Sequence, residues 1–542
     1  MSTAQDTIRA YHQRTKHQLQ RYAAGPDTLD WDAQPDPFRS WQGSPLTMLP
    51  LVADTLKPTW ADLFEPGKVP ARSLTLKALG ALLELSLGLT AWKQHGPDRW
   101  ALRANPSSGN LHPTEAWLVC HGVAGLADGV HHYAAREHAL EQRAQFAPEE
   151  GATAPARAFV ALTSIQWREA WKYGERAFRY CQLDVGHAIG ALRYAAALLG
   201  WRLQAVACGT AQLAALLGLD READFGGAER EEPDALFELL PHGATARHGG
   251  PWDGPVPINW QGVANRLDRH PMYRWPVIDA VAVATRVHEL PPRTVSVPMP
   301  TLPPLARSTQ PAATLIRQRR SAQRFDASAR MPVAQLWLLL RALHPGRLPF
   351  DAGPAQARVH VLLFANRVDG LAPGAYLLPR NDAGRALLRA TLPAALDLSP
   401  VPEAPADAPL LCLAENPALA GTLRTLNCHQ ALGSDAILGF ALLAEFNPLP
   451  EAAAYRQRLQ EAGLIGQALY LEAEALGLRG TGIGCFFDDA LHQLIGLPES
   501  AASAPLQSVY HFTVGVPLTD ARIATEPPYA HLLTDRKGPD HG

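Results

Sequence analysis

Apolar positions along this chain switch between helical and strand periods, and the order of those switches occurs twice. Ile8, Tyr11, Thr15 and Gln18 share one face of a predicted N-terminal helix. Residues 74–92 are apolar at helical spacing and predict a core helix. Short apolar runs at 116–120 and 159–164 predict core strands, and 129–133 predicts a hairpin strand. A helix is predicted over 183–199, where Gly186, Gly190 and many alanines would let a second helix approach closely.

The second half restarts the same pattern. Strands are predicted at 359–364 and 374–378, a repeated core strand at 410–413, a small-residue helix at 463–478 and a final strand at 509–514. Gly186, Gly200, Arg202 and Cys208 match Gly463, Gly477, Arg479 and Cys485 at one offset of 277 residues. A constant offset through about twenty residues is hard to obtain by chance and marks an internal repeat. Residues 26–70, rich in Pro, Trp and Asp, predict a long irregular arm. The proline-dense stretch 288–312 predicts a semi-rigid linker, so the expected units are 1–280, a linker over 281–312, and 313–542. Residues 415–450 fit no element of the repeat.

At 542 residues, two domains or more are expected, and 47% hydrophobic content is enough for sizeable cores. A formal net charge of −3 offers no electrostatic case for nucleic acid. The six cysteines form no C-x-x-C pair, which argues against a zinc ribbon or disulfide framework and fits a reducing cytoplasm. No signal-like apolar segment opens the chain, and the greasiest run, 436–446, is too short for a bilayer. Adjacent His131 and His132 on a strand point to opposite faces, so no metal site is expected there.

Three stretches carry candidate chemistry. Arg103-Ala104-Asn105-Pro106-Ser107-Ser108-Gly109-Asn110-Leu111-His112-Pro113 reads as a polar turn entering a core strand. It is either an ordinary turn or a donor-rich cradle for an oxygen-rich, ring-shaped ligand. Arg319-Arg320-Ser321, with Gln323 and Arg324 beyond, is a solvated basic helix end or a phosphate fork, since guanidinium matches phosphate bidentately. Gly480-Thr481-Gly482-Ile483-Gly484-Cys485 follows a helix rather than a strand, which excludes a dinucleotide fingerprint.

These stretches resemble the nitroreductase-like superfamily, and within it the SagB-type azoline dehydrogenases. The resemblance implies an α+β fold of two fused nitroreductase-like domains that form an intramolecular pseudo-dimer, with FMN between them. It places Arg103, Asn105, Pro106, Ser107, Ser108 and Asn110 against the flavin from one half. Arg319, Arg320 and Ser321 would take the FMN phosphate from the other half, with Gln323 standing where the family usually has Arg or Lys. The strand carrying Gly482, Gly484 and Cys485 would face flavin N5. Arg522 would complete the phosphate site or be a plain surface arginine. Lys172, assisted by Tyr173, would be the proton acceptor, since desolvation beside a ring lets a lysine act as a base. The mirror-related site has lost its glycines and its loop, and Arg14-Thr15-Lys16-His17 would be its phosphate remnant.

The implied function is FMN-dependent dehydrogenation of a heterocycle or peptide-derived substrate. The alternatives are an NAD(P)H-dependent nitro or quinone reductase, and a non-catalytic flavin-binding subunit of a peptide-modification complex. A small-molecule or peptide substrate is expected, without nucleic acid or membrane, and further oligomerisation is left open.

Overall fold

Two long helices, Ala177–Leu198 and Ala454–Ala475, cross at the centre of the molecule in this computed structural model. The structure describes residues 3–147, 155–241, 243, 252, 254–287, 302–396, 398–500 and 504–535. Both central helices are buried nearly all round, as expected where each is packed on every side. Their backbones touch at the paired glycines. A Cβ on Gly186 would lie 2.0 Å from the Gln460 carbonyl oxygen, and one on Gly463 would lie 2.0 Å from that of Leu183. Only glycine fits at either place.

Each half contributes one antiparallel sheet with the same strand order. In the first, Gly129–Ala134, Thr114–His121, Arg157–Ser164, Glu232–Pro241 and Trp201–Ala205 lie side by side. In the second the order is Gly374–Leu378, Val359–Ala365, Leu438–Glu445, Leu506–Gly515 and Arg479–Ile483. The strand that follows each central helix therefore lies at an edge of its sheet. The α+β, two-domain reading holds.

Four local expectations change. The repeated core strand is Leu438–Glu445, inside the unassigned 415–450, and not 410–413. Leu411–Glu415 is instead an outer strand with one half exposed, and a short apolar run does not by itself distinguish the two. The helix predicted over 74–92 stops at Ser86, and Leu89–His95 is a strand paired with Asp98–Arg103. Gly88 marks the change, because a Cβ there would sit 2.9 Å from the Tyr529 hydroxyl. The domain boundary at 280 falls inside the helix Pro276–Ala284, started by Pro276 and anchored by buried Ile278, Val281 and Ala282. Of the predicted linker, residues 288–301 lie outside the described residues, while the Ser308 and Gln310 carbonyls accept bonds from Ala61 and Trp60 of half one.

The halves exchange their ends. The N-terminal helix Ala4–Arg14 packs on half two, with His12 bonded to Tyr455 at 3.0 Å. Ala524–Glu526 adds a strand to Leu89–His95 in half one. Among the described residues no helix is long and apolar enough to cross a membrane.

Candidate active site

The loop 105–112 is held on every side. Asn110 Nδ2 donates to the Ala101 carbonyl at 2.9 Å, and the Ser107 hydroxyl accepts the His112 N–H at 2.8 Å. Gly109, Asn110 and His112 all have left-handed backbone, at φ of 58°, 61° and 52°. Two of the three are not glycine, a strain that persists where surrounding bonds over-determine the chain. Ser108 gives both its N–H and its hydroxyl to Asp184 of the central helix, at 3.0–3.1 Å.

From half two, the helix Ala312–Gln318 ends at the arginines and runs directly onto the glycine strand. Ala322 N–H reaches the Gly480 carbonyl at 3.0 Å. The Tyr470 hydroxyl joins Ser321 at 2.8 Å and accepts the Gly482 N–H at 2.9 Å. The glycines make room for tyrosines. A Cβ on Gly482 would fall 1.8 Å from the Tyr510 hydroxyl, and one on Gly484 would fall 2.1 Å from the Tyr180 ring.

Between the two sets lies a cavity of about 460 Å³, within the range of small-molecule sites. Arg103, Asn105, Pro106, Ser107, Ser108 and Asn110 line it from half one. Arg319, Arg320, Ser321, Gln323, Gly482, Gly484 and Cys485 line it from half two. Tyr173 also lines it.

Two expected residues stand outside. Arg522 is exposed and paired with Asp520 at 2.6 Å, while Thr519, Asp520 and Ile523 take the wall positions. A one-turn ion pair two residues apart holds the guanidinium away. Lys172 is half-buried between the rings of Trp31, at 5.2 Å, and Tyr173, at 5.4 Å, and is not part of the wall. Burial lowers its pKa, and Glu169 acts against that shift.

One end of the cavity is strongly cationic. Lys93, Arg319, Arg320 and Arg479 all reach it. Burial, then Arg319 and Arg479, push Arg320 down to about 10. Arg319 is buried, and its Nε and Nη1 have no hydrogen-bond partner among the described residues. Its Nη2 donates to the Arg103 carbonyl at 3.2 Å, and the unsatisfied buried N–H groups cost stability until an acceptor meets them. This is the observation that fits a phosphate.

Sequence reasoning missed the acids. Asp184 lines the cavity, and burial pushes it up to about 7 against the serine hydrogen bonds. Glu169 behind it is fully buried, bonded to the Ser107 hydroxyl at 3.5 Å, and its other oxygen has no partner among the described residues. Burial and then Asp184 raise it well above the usual carboxylate range. The available signal was Asp184 itself, a lone acid in an alanine- and glycine-rich helix.

The expected phosphate remnant is already occupied. Arg14 pairs with Glu175 at 2.6 Å, Lys16 with Asp489 at 2.8 Å, and His17 N–H with Asp488 at 3.1 Å. Those partners place it beside the glycine strand of half two, not beside Trp201–Ala205. His132 is held between Glu115 and Glu141, and His131 bonds the Ala127 carbonyl.

Residues 316–516 match the Nitroreductase family model. MJ1384 of Methanocaldococcus jannaschii, which carries a nitroreductase name, is 28% identical over 123 residues, 21% of this chain. The matched stretch spans 59% of that relative's length. A crystal structure of an Anabaena variabilis protein, also bearing a nitroreductase name, superposes with a TM-score of 0.65 at 20% identity, over 94% of this chain and 99% of that one. The fold is thus nitroreductase-like across both halves, and the second half carries a nitroreductase family domain.

Proposed function

We propose that this chain is an FMN-dependent oxidoreductase of nitroreductase type, acting on a heterocycle or peptide-derived substrate as SagB-type dehydrogenases do. The observation that carries the reading is the meeting of two sequence-distant sets of residues in one cavity, with Arg319 at its cationic end holding two buried nitrogens, Nε and Nη1, without a partner among the described residues. Arg319 and Arg320 would hold the phosphate, with Ser321 beside them. The loop 105–110 and the segment 482–485, which leaves the strand Arg479–Ile483, would hold the ring. Bound there, FMN would supply two-electron chemistry. Tyr173, Asp184 and the serines bonded to Asp184 are among the groups able to hold or move a proton at the cavity wall. Lys172 would act through Tyr173 rather than touch the substrate.

The test is the absorbance spectrum of the purified protein with flavin counted per chain. About one FMN per chain supports a single site built by both halves. Two per chain, or none after incubation with FMN, sinks the reading. A plain NAD(P)H-dependent nitro or quinone reductase is the second reading, favoured by Lys172 standing outside the wall. Azoline oxidation that fails in Lys172→Ala supports the dehydrogenase, and NAD(P)H oxidation untouched by that change supports the reductase.

A further inference from the structure

Cys485 stands two residues beyond the glycine strand and lines the cavity, yet the flavin reading uses only its backbone. Cys428 is the strongest electrostatic neighbour of the Cys485 thiol, and both are free cysteines, partly exposed. The juxtaposition is built. The Leu426 carbonyl accepts the Phe487 N–H at 2.8 Å, and Gln430 Nε2 donates to the Cys485 carbonyl at 3.4 Å. These two bonds straddle the thiols and tie segment 426–430 to segment 485–487. Between them Cys428 and His429 are both left-handed, at φ of 52° and 61°. Two consecutive non-glycine residues in that region are a strained arrangement of the kind found at functional turns.

The surroundings separate the two sulfurs. His17 Nδ1 accepts the Ala23 N–H at 2.9 Å, which leaves the ring proton on Nε2 to donate to the Cys485 sulfur. The Arg176 guanidinium lies alongside, fixed by Asp488 at 3.0 Å and donating to the Gly484 carbonyl at 3.0 Å. Tyr22, Tyr173 and Tyr180 complete the titratable groups facing the pair. Cys428, then His17 and Arg176, bring Cys485 down to about 5 against its burial, and Cys428 is raised. A positive, partly exposed setting of this kind is what makes a cysteine reactive.

Position separates them too. Cys485 faces the cavity, whereas Cys428 neighbours Tyr22, which is 50% exposed, and is not part of the cavity wall. We propose that Cys485 and Cys428 are a redox couple spanning the cavity wall, through which a small dithiol outside delivers two electrons to the flavin inside. The inference rests on the flavin reading. In the inner step the Cys485 thiolate and Cys428 thiol lose two electrons, an S–S bond forms and the Cys428 S–H bond breaks. The electron pair and that proton pass to the oxidised flavin. In the outer step a thiolate of the dithiol attacks Cys428, and Cys485 departs as the more acidic, better leaving thiol. The second thiol of the reagent then releases Cys428, and the reagent leaves as its own disulfide.

Three measurements test this. In flavin-free protein at about pH 6, iodoacetamide should alkylate Cys485 about tenfold faster or more than the other cysteines. In the anaerobic FMN-loaded protein, dithiothreitol should bleach the flavin quickly in the wild type. In Cys428→Ser it should do so about tenfold more slowly or worse, and that variant should show a long-wavelength thiolate-to-flavin band. Peptide mapping of acid-quenched wild type should recover a 428–485 disulfide. One FMN per chain, with equal alkylation of all cysteines and bleaching unchanged in Cys428→Ser, overturns this proposal and leaves the flavin reading standing. Failure to bind FMN overturns both.

Discussion

The loop 105–112 and its counterpart Phe350–Ala352 lead into equivalent strands and have opposite fates. The first presents serines, an asparagine and strained backbone to a cavity, against the glycine strand of the other half. The second buries Phe350 and Ala352 and packs on Trp201–Ala205, where Arg193 bridges Asp351, at 2.9 Å, to the Trp201 carbonyl, at 3.1 Å. The same skeleton is thus open across one diagonal of the pseudo-dimer and stitched shut across the other. Duplication preserved what packing requires, namely helix crossing and strand order. The residues that line the cavity are divided between the halves, each supplying a part that the other lacks.

The largest effect expected is at the crossing that both diagonals share. Gly186→Val forces a side chain into the Gln460 backbone and should cost about 3 kcal/mol or more, seen as loss of folded protein or a large drop in Tm. Gly463→Val should do the same, because the contact is mutual. A wild-type Tm in either variant would break the view of the two helices as one rigid seam.

Next comes the acid on the open diagonal. Asp184 rises on folding from 3.8 to about 7, so the native state binds the extra proton between those values. Its contribution therefore falls as pH rises from about 4 to about 7, by an amount on the order of 4 kcal/mol at most. Asp184→Asn should flatten that limb of the stability profile measured by chemical denaturation. An unchanged slope would mean that Asp184 ionises normally.

Arg319 should show opposite signs in the two states. Arg319→Met removes a buried charge with two unsatisfied nitrogens, together with its one bond to the Arg103 carbonyl, and should stabilise flavin-free protein by about 1 kcal/mol, while weakening FMN about 10- to 100-fold. Thermal melts with and without FMN, and a titration, check both. Equal affinity in the variant would move the phosphate elsewhere.

The smallest effect sharpens the diagonal comparison itself. Asp351→Ala on the closed side should change FMN affinity less than about twofold, whereas Ser108→Ala on the open side should weaken it several-fold through the lost bond to Asp184. Equal effects would mean that both diagonals bind.

Much of the site was legible because its residues are conspicuous by type. Pro-Ser-Ser-Gly-Asn, an Arg-Arg-Ser helix end and alternate glycines stand out in any context, and they do meet at one cavity. Lys172 and Arg522 were misplaced for a different reason. The sequence shows that a cation exists, but not which carboxylate or ring captures it, and Asp520 and the Trp31–Tyr173 rings did so here. Asp184 and Glu169 were overlooked because a carboxylate on a helix looks unremarkable until its burial is known.

By itself, then, the chain determined the duplication, the strand and helix types of its long periodic segments, and the asymmetry between its halves. Those follow from local periodicity and residue kind, which act over a few turns. Only the tertiary structure decided how the second diagonal is stitched shut, that segment 426–430 brings Cys428 to Cys485, and that Arg319 Nε and Nη1 are buried without a partner among the described residues. Each of these depends on the direction of a side chain across contacts between distant segments, and local pattern carries no record of them.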